Sequence, residues 1–397
     1  MLPIWRMLSW AVRGVSRAVR TAQPAPTSHI ELVSTWLNQT SQLQPGAAHR
    51  VVYPVQRVLR IPPQTLEEAV HWKFQTAPQV LPAATVTVIP KGRVWGPGTA
   101  VITAENVLIG ELSKALNFEG YVENTLAHPV FQRSHLEPPH HVNGRVALLS
   151  APGGAGYYHW MIDSLPRLHL LVEAGIDQAT IDRYLVNSFV ARFQHETFAL
   201  LGIPRERIIE SHWRPHVRAD ELIVPSLPGD FGNAPRWVCE FLRTLFLDNK
   251  SENADRSNGT RLYLTREQAT HRKVVNEDEL RNTVLTEFGF RPVSIEDYPI
   301  KEQARMLSEA SVVCGPHGAG LTNIVFCRPG THVVEFLNPN DVSYVYWTLA
   351  NQASLTYWYL IGEGKRPNGT GEPHLSMQDI AIDADSLRLI LSRCCEP

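Results

Sequence analysis

The feature that most constrains the fold of this chain is a strand–turn–helix pattern at residues 311–326, which reads SVVCGPHGAGLTNIVF. The short apolar run predicts a buried strand, and an apolar helical pattern begins directly after the glycine-rich turn. The first N–H groups of a helix have no acceptor within it, and the helix dipole adds positive potential there. Gly315, Gly318 and Gly320 let a ligand approach the backbone closely. The pattern therefore predicts an anion site, and a phosphate-bearing ligand is the leading hypothesis.

Predicted strands and helices alternate along most of the chain after residue 145, which indicates parallel sheets covered by helices on both faces. The alternation stops in the polar stretch 248–259 and restarts at residue 260. We therefore predict an N-terminal domain over 29–247, this stretch as the linker, and a C-terminal domain over 260–397. Both are expected to be doubly wound, Rossmann-like α/β domains that face each other across a ligand-binding cleft.

The composition excludes several classes of protein. The chain has 397 residues, 44% of them hydrophobic, and a net charge of −2, so it can bury a large core and has no general attraction for nucleic acid. No apolar run approaches the roughly 20 residues that a membrane span needs. The five cysteines include no CxxC pair and no zinc-ligand spacing, which is typical of reduced thiols in a cytosolic protein.

Residues 1–28 form a basic N-terminal segment followed by a Pro-rich linker. Its first twenty residues mix apolar side chains with four arginines and contain no acidic residue, which is unlike a secretory signal. The pattern fits a basic amphipathic helix on an anionic membrane surface. It fits a helix docked on the protein equally well, and both interpretations stay open.

The C-terminal half carries side chains suited to a phosphate and a ribose. His317 adds a donor to the glycine-rich turn, Arg266 directly follows a predicted strand, and Arg272 lies in the next loop. Glu335 lies inside a predicted strand, where an unpaired charge is unfavourable, and a carboxylate there can accept both ribose hydroxyls. The alternative is a set of solvent-facing arginines and a glutamate in a salt bridge.

In the N-terminal half, His159, Asp163 and Arg167 have the spacing of one helix face. Pro166 removes a backbone N–H and predicts a kink near Ile162. A His/Asp pair in an apolar segment after a glycine-rich loop favours a general base. The alternative is a His–Asp hydrogen bond that only fixes the helix.

Three stretches, taken together, resemble glycosyltransferase family 61. They are YYHWMIDSLPRL at 157–168, YLTREQATHRKVVNEDEL at 263–280 and VVCGPHGAGLTNIVF at 312–326. The family comprises inverting enzymes with a two-domain GT-B fold that use nucleotide sugars. It includes eukaryotic O-linked GlcNAc and xylosyl transferases and bacterial members of capsular or surface polysaccharide synthesis, and this chain is similar to the bacterial type.

The resemblance implies roles for the candidate residues. Asp163 is expected to deprotonate the acceptor hydroxyl, with His159 orienting it or sharing the role of base. The donor is expected to contact these residues: Arg266, Arg272, His317, Gly318, Ala319, Gly320, Asn323 and Glu335.

We therefore predict a GT-B-like, metal-independent, inverting glycosyltransferase without a cofactor. Its donor is expected to be a nucleoside-diphosphate sugar, in particular a UDP-sugar, and its acceptor a glycan or lipid-linked glycan in surface polysaccharide synthesis. The expected location is the cytoplasm, with peripheral contact at the inner membrane face. The alternative is a catalytically inactive module that binds sugar nucleotides or glycans.

Three rival enzyme classes fit less well. A serine hydrolase needs a G-x-S-x-G elbow, which the chain lacks. A dehydrogenase needs G-x-G-x-x-G after the first strand of a unit, whereas the turn here has the order G-x-x-G-x-G and comes late in its domain. A metal-dependent transferase would use Asp383 and Asp385, but Asp385 is better interpreted as the N-cap of a final helix.

Overall fold

The structure, a computed structural model, describes these parts of the chain: residues 22–40, 44–96, 99–117, 120–121, 124–247, 259–367 and 377–395. The basic N-terminal segment and nearly all of the predicted linker at 248–259 lie outside the described residues.

The chain forms a mixed α/β structure. The described strands, in chain order, are β1 (Gln23–Pro24), β2 (Ser28–Ile30), β3 (Ala48–Tyr53), β4 (Gln56–Val58), β5 (Gln79–Leu81), β6 (Ala84–Pro90), β7 (Arg93–Trp95), β8 (Ala100–Ile102), β9 (Val107–Ile109), β10 (Leu116–Asn117), β11 (Gly120–Tyr121), β12 (His135–Leu136), β13 (His140–Leu148), β14 (Arg183–Val186), β15 (Ile208–Glu210), β16 (His216–Pro225), β17 (Thr260–Leu264), β18 (Arg291–Val293), β19 (Ala310–Pro316), β20 (His332–Leu337) and β21 (Thr356–Ile361).

The described α-helices are α1 (Val33–Thr40), α2 (Tyr157–His159), α3 (Pro166–Glu173), α4 (Arg192–Leu200), α5 (Arg236–Phe246), α6 (Glu277–Leu280), α7 (Ile300–Ser308), α8 (Val345–Gln352) and α9 (Ala384–Cys394). Within the described ranges, every helix is too short or too polar to cross a lipid bilayer.

The C-terminal half contains a parallel sheet in the order β18–β17–β19–β20–β21. Alternate residues of its strands enter different cores, as expected for a sheet covered on both faces. Val312 and Val334 pack in the core that contains residues of α6 and α9, whereas Val313 and Val333 pack in the core that contains residues of α7 and α8. The strand order reverses between β17 and β19, so the carboxyl ends of these two strands border the crevice where such folds bind ligands.

The N-terminal half departs from the predicted doubly wound sheet. Strands β15, β14, β13 and β16 are neighbours in that order and parallel, as predicted. The other edge of β16, however, pairs with β6 and β7, and both run antiparallel to it. Strand β8 then pairs antiparallel with β7, and β9 pairs antiparallel with β8. The prediction of a doubly wound sheet is therefore correct for only four strands of this half.

The chain between β4 and β5 packs against the C-terminal sheet. The indole N–H of Trp347 donates to the carbonyl of Ile61 at 2.8 Å, and the N–H of Tyr359 donates to the carbonyl of Gln64 at 3.2 Å. The ring of Phe74 lies 4.7 Å from that of Tyr359. Residues that precede the N-terminal parallel strands therefore cover part of the C-terminal unit.

All five cysteines lie in described parts of the chain, and none forms a disulfide. Four of them are buried, and Cys395 is partly exposed. Burial raises the pKa of Cys239 and of Cys327 to about 12, so both thiols are protonated at neutral pH.

We expect the fold to lose stability as the pH falls below about 6.5, the pKa of an unfolded histidine. His216 is buried, with Nδ1 2.5 Å from the carbonyl of Glu137 and Nε2 3.4 Å from Nη1 of Arg93. Nδ1 therefore carries the hydrogen and Nε2 accepts. Burial lowers the pKa of His216. The unfolded chain thus takes up a proton that the folded chain excludes.

The free energy of unfolding, measured in urea at pH 7.5 and pH 5.5, tests this expectation. His216→Asn, whose amide can still donate to Glu137, is expected to show a smaller loss between the two pH values than the wild type. His212→Asn, at an exposed position, is the control and is expected to show the wild-type loss. Equal losses in wild type and His216→Asn would contradict the expectation.

Candidate active site

The predicted catalytic helix consists of three segments. Helix α2 passes into a π-helical turn at Trp160–Ser164, and α3 begins at Pro166. The N–H of Leu165 donates to the carbonyl of Trp160, five residues back, at 2.8 Å. A proline lacks an N–H and its ring clashes with the carbonyl four residues earlier, so the wider turn accommodates it. The irregularity predicted from Pro166 is thus present, as a π turn.

His159 and Asp163 form a hydrogen-bonded pair across this turn. Nδ1 of His159 lies 2.6 Å from Oδ2 of Asp163, and the side chains are 20% and 9% exposed, respectively. The imidazole packs against Gly153, where a Cβ would lie 2.5 Å from Cδ2 of His159. Gly153 also has a φ of +73°, a left-handed conformation that favours glycine. The glycine-rich loop therefore fits closely around the histidine, which is the more exposed member of the pair.

Arg167, which the spacing places on the same helix face, hydrogen-bonds to backbone carbonyls of the N-terminal half. Its side chain is buried and donates to the carbonyl of Ser150 at 2.5 Å and to that of Pro225 at 2.9 Å. The guanidinium therefore connects the carboxyl ends of β13 and β16. Its role is to brace the N-terminal sheet beneath the helix.

The glycine-rich turn follows β19 and leads into a 3₁₀ helix at Ala319–Phe326, where the sequence predicts a longer helix. Gly318 has an extended backbone conformation. A Cβ at this position would lie 2.1 Å from Nη1 of Arg266, so a larger residue would collide with the guanidinium. The guanidinium of Arg266 therefore lies directly over the turn. The structure brings together Arg266 and the turn residues, as predicted.

Arg266 has a buried N–H group that is not satisfied within the described residues. Nη2 donates to the carbonyl of His271 at 3.1 Å, whereas Nε is buried and has no hydrogen-bond partner among the described residues. Burial lowers the pKa of Arg266, and the charge of nearby Arg272 lowers it further. A buried N–H without a partner is unfavourable, and an anionic ligand would satisfy it.

Glu335 lies behind the turn, in β20, and is fully buried. One carboxylate oxygen is 2.5 Å from Nδ1 of His317, and the other accepts a hydrogen bond from the hydroxyl of Tyr357. The carboxylate therefore faces the interior, which is incompatible with the ribose contact predicted from the sequence. His317 itself remains at the turn, as predicted.

Asn323 is likewise engaged inside the protein. Its side-chain oxygen accepts from the hydroxyl of Tyr157 at 2.7 Å, and its amide nitrogen donates to Gln303 at 2.9 Å and to the carbonyl of Gly320 at 3.1 Å. Both N–H groups of its amide are thus engaged within the protein, and its oxygen accepts one internal hydrogen bond. Asn323 instead connects α2 in one half to the turn helix in the other.

A cleft of about 280 Å³ opens between the two halves beside the turn. The N-terminal half lines it with Tyr157 and Phe193, whose rings are 5.2 Å apart. The C-terminal half lines it with Ile295, Glu296 and the turn residues Gly318, Ala319 and Gly320. Nothing in the sequence marks Glu296 as a candidate, because the loop after β18 contains no motif.

Two tyrosine rings connect the two histidines. Tyr346, in α8, has its ring 5.3 Å from that of His317 and 6.0 Å from that of Tyr158. The ring of Tyr158 is in turn 5.2 Å from that of His159. A chain of packed rings therefore runs from His159 in one half to His317 in the other. Tyr158 lies in a motif stretch, whereas nothing in the sequence distinguishes Tyr346.

The described part of the chain contains no group of three His, Cys, Asp or Glu side chains arranged to hold a metal ion. Asp383 is the N-cap of α9, where Oδ2 accepts from the N–H of Ser386 at 2.8 Å. Asp385, the predicted N-cap, lies in the first turn of α9 and pairs with Arg388 at 2.6 Å. The predicted cap is therefore displaced by two residues.

Comparison with known proteins places this site in a family. Residues 157–334 match the family model described as Glycosyltransferase 61. Bovine protein O-linked-mannose beta-1,4-N-acetylglucosaminyltransferase 2 is 30% identical over 118 residues, which cover 28% of this chain and 20% of that protein. Mouse EGF domain-specific O-linked N-acetylglucosamine transferase is 30% identical over 98 residues, 23% of this chain and 18% of that protein.

The beta-1,2-xylosyltransferase of Arabidopsis thaliana is 33% identical over 78 residues, 17% of this chain and 15% of that protein. The chain thus spans a fifth or less of the length of these curated relatives. The region that matches the family model contains the His159–Asp163 pair, both arginines and the glycine-rich turn. On this evidence residues 157–334 of the chain are similar to glycosyltransferase family 61.

Proposed function

We propose that the protein is an inverting glycosyltransferase that moves a sugar from a nucleoside-diphosphate sugar to a hydroxyl of a glycan. The match to the family model supports glycosyl transfer. The observation that carries the proposal is a cleft between the halves beside Arg266 and the glycine-rich turn, with the His159–Asp163 pair connected to that turn by packed aromatic rings. Such an arrangement can deprotonate an acceptor and stabilise a departing diphosphate.

The diphosphate of the donor is assigned to the turn. The unpartnered Nε of Arg266 would donate to one phosphate oxygen, and Arg272 adds positive charge nearby. The nucleoside would occupy the adjoining cleft, whose walls include Ile295 and the ring of Tyr157. Glu296, exposed in the loop after β18, replaces Glu335 as the candidate acceptor for ribose hydroxyls.

His159 is assigned as the base and Asp163 as the residue that orients it. The more buried carboxylate accepts from Nδ1–H, which leaves Nε2 free to take the proton of the acceptor hydroxyl. The hydroxyl oxygen then bonds to the anomeric carbon from the face opposite the diphosphate. The bond between the carbon and the phosphate oxygen breaks, and its electron pair stays with the diphosphate, beside the cationic side chains.

The choice of substrates rests on the names of the relatives. They are transferases of N-acetylglucosamine or xylose, which supports a UDP-sugar as donor. A role in bacterial surface polysaccharide synthesis, independence from metal ions, and contact of residues 1–21 with an anionic inner-membrane surface also belong to this proposal.

Loss of the base should abolish turnover without loss of donor binding. We expect His159→Ala to reduce turnover by about 10²- to 10⁴-fold, the usual contribution of a general base, and Asp163→Asn to reduce it through misorientation of the imidazole. UDP release from UDP-N-acetylglucosamine and UDP-xylose, with and without glycan acceptors, measures turnover. Near-normal turnover in His159→Ala would refute the assignment. Donor binding without turnover in the wild type would favour the inactive binding module.

Loss of the phosphate arginine should instead weaken donor binding. We expect one class among UDP, GDP, CMP and dTDP to bind in the presence of a chelator, and Arg266→Ala to weaken that binding by about tenfold or more. Titration calorimetry measures both. The control is Arg236→Ala, which removes an exposed arginine paired with Glu240 on α5. If all four nucleotides fail to bind the wild type, the donor proposal is wrong.

A further inference from the structure

A group of basic side chains lies where the parallel strands of the N-terminal half begin. His140 and His141 are the first residues of β13, Arg183 is the first residue of β14, and Arg214 lies two residues before β16. Parallel strands begin at the same edge of a sheet, so the topology brings these four residues to one edge. All four are exposed, and none of them lines the cleft beside the glycine-rich turn.

These side chains lie close together. Partial burial lowers the pKa of His140, and the nearby charges of Arg214, Arg183 and His141 lower that pKa further. Arg218 extends the group, because it lies opposite His141 in the register of β13 and β16. Its Nε is buried and has no hydrogen-bond partner among the described residues. These five residues are called the basic surface below.

The two aspartates near this edge are engaged with other groups. Asp182 accepts a hydrogen bond from the N–H of Arg145 at 2.7 Å. Asp220 pairs with Lys91 and also lies near His141. Within the described ranges, no carboxylate forms an ion pair with an arginine of the basic surface. The charge of these arginines is thus available to an anionic partner, although the whole chain has a net charge of −2.

An exposed tryptophan accompanies the basic surface. Trp213 directly precedes Arg214 and is 69% exposed. Its ring lies 4.9 Å from that of His212, which is exposed as well. The boundary between lipid head groups and acyl chains accommodates both the apolar ring of a tryptophan and its N–H. A tryptophan beside arginines therefore fits an anionic lipid surface.

The chain enters its described part beside the basic surface. The basic residues 1–20 precede β1, and β1 pairs with β12, which ends four residues before His140. Between these two points, the carbonyl of Glu137 lies 2.5 Å from Nδ1 of His216 at the start of β16. Residues 1–20 and the basic surface both combine arginines with apolar side chains. A bilayer, unlike a soluble polyanion, receives both kinds of side chain.

We propose that the basic surface and Trp213 dock the folded protein on an anionic lipid bilayer. The arginines would lie at the level of the lipid phosphates, and the indole would enter the head-group region. Such docking extends the membrane contact of residues 1–21 to the folded part of the chain, and to that extent the inference rests on the proposed function.

Sedimentation of the full chain with lipid vesicles tests this surface. The vesicles contain phosphatidylcholine alone or phosphatidylcholine with phosphatidylglycerol, and we expect binding only to the second kind. Arg183→Gln combined with Arg214→Gln is expected to weaken that binding by about 10- to 30-fold, since each arginine near an anionic surface contributes roughly fivefold. Trp213→Ala is expected to weaken it several-fold.

The control is Arg236→Gln combined with Arg305→Gln, which removes the same charge from exposed arginines on α5 and α7 and should leave binding unchanged. Equal binding of the wild type and the Arg183/Arg214 variant would overturn the inference. A loss in that variant without any loss in Trp213→Ala would also overturn it, because a purely ionic surface fits a soluble polyanion such as a nucleic acid.

A further variant separates this inference from the membrane contact of the N-terminal residues. If Arg13→Gln combined with Arg17→Gln weakens binding and the variants of the basic surface do not, the basic surface is overturned and the contact of residues 1–21 stands. If the wild type binds neither kind of vesicle, both are overturned. Turnover without vesicles is expected to be unchanged in all of these variants, so the transferase assignment is judged separately.

Discussion

The close approach of β17 and β19 is the constraint on which the site depends. A Cβ at Gly315 would lie 2.7 Å from the carbonyl oxygen of Leu264, so only glycine lets the two strands lie this close. The strand order reverses at this point, and the segments that follow the strands diverge. Arg266 leaves one strand and His317 the other, and both reach the same turn. The positive charge of the site thus follows from backbone packing.

The two His–carboxylate pairs lie in different surroundings. His159 and Asp163 belong to a single helical turn, and the carboxylate retains some contact with solvent. His317 and Glu335 come from neighbouring strands, and the carboxylate is sealed inside the sheet. The first pair therefore fixes the conformation of one helical turn, whereas the second joins the glycine-rich turn to the strand behind it.

Local patterns predicted part of this site and tertiary contacts decided the rest. The glycine-rich turn and Arg266 were predictable because each directly follows a strand, and the His159–Asp163 contact because helix geometry fixes the spacing. The inward orientation of Glu335 was not predictable from the sequence, since it depends on Tyr357 in the neighbouring strand. The same holds for Asn323, whose partner Tyr157 lies 166 residues away. The antiparallel pairing of β7, β8 and β9 was not predictable, because strands of three residues carry too little periodicity to fix their partners.

The chain between β4 and β5 has a consequence for how the protein is assembled. Ile61, Gln64 and Phe74 come from the first quarter of the chain, yet they contact Trp347 and Tyr359 in its last quarter. A fragment that begins at β17 would leave these aromatic surfaces bare. The two halves are therefore not modules that could be exchanged between relatives by recombination at a single crossover. The two halves are thus held together by a segment that precedes the parallel strands of both.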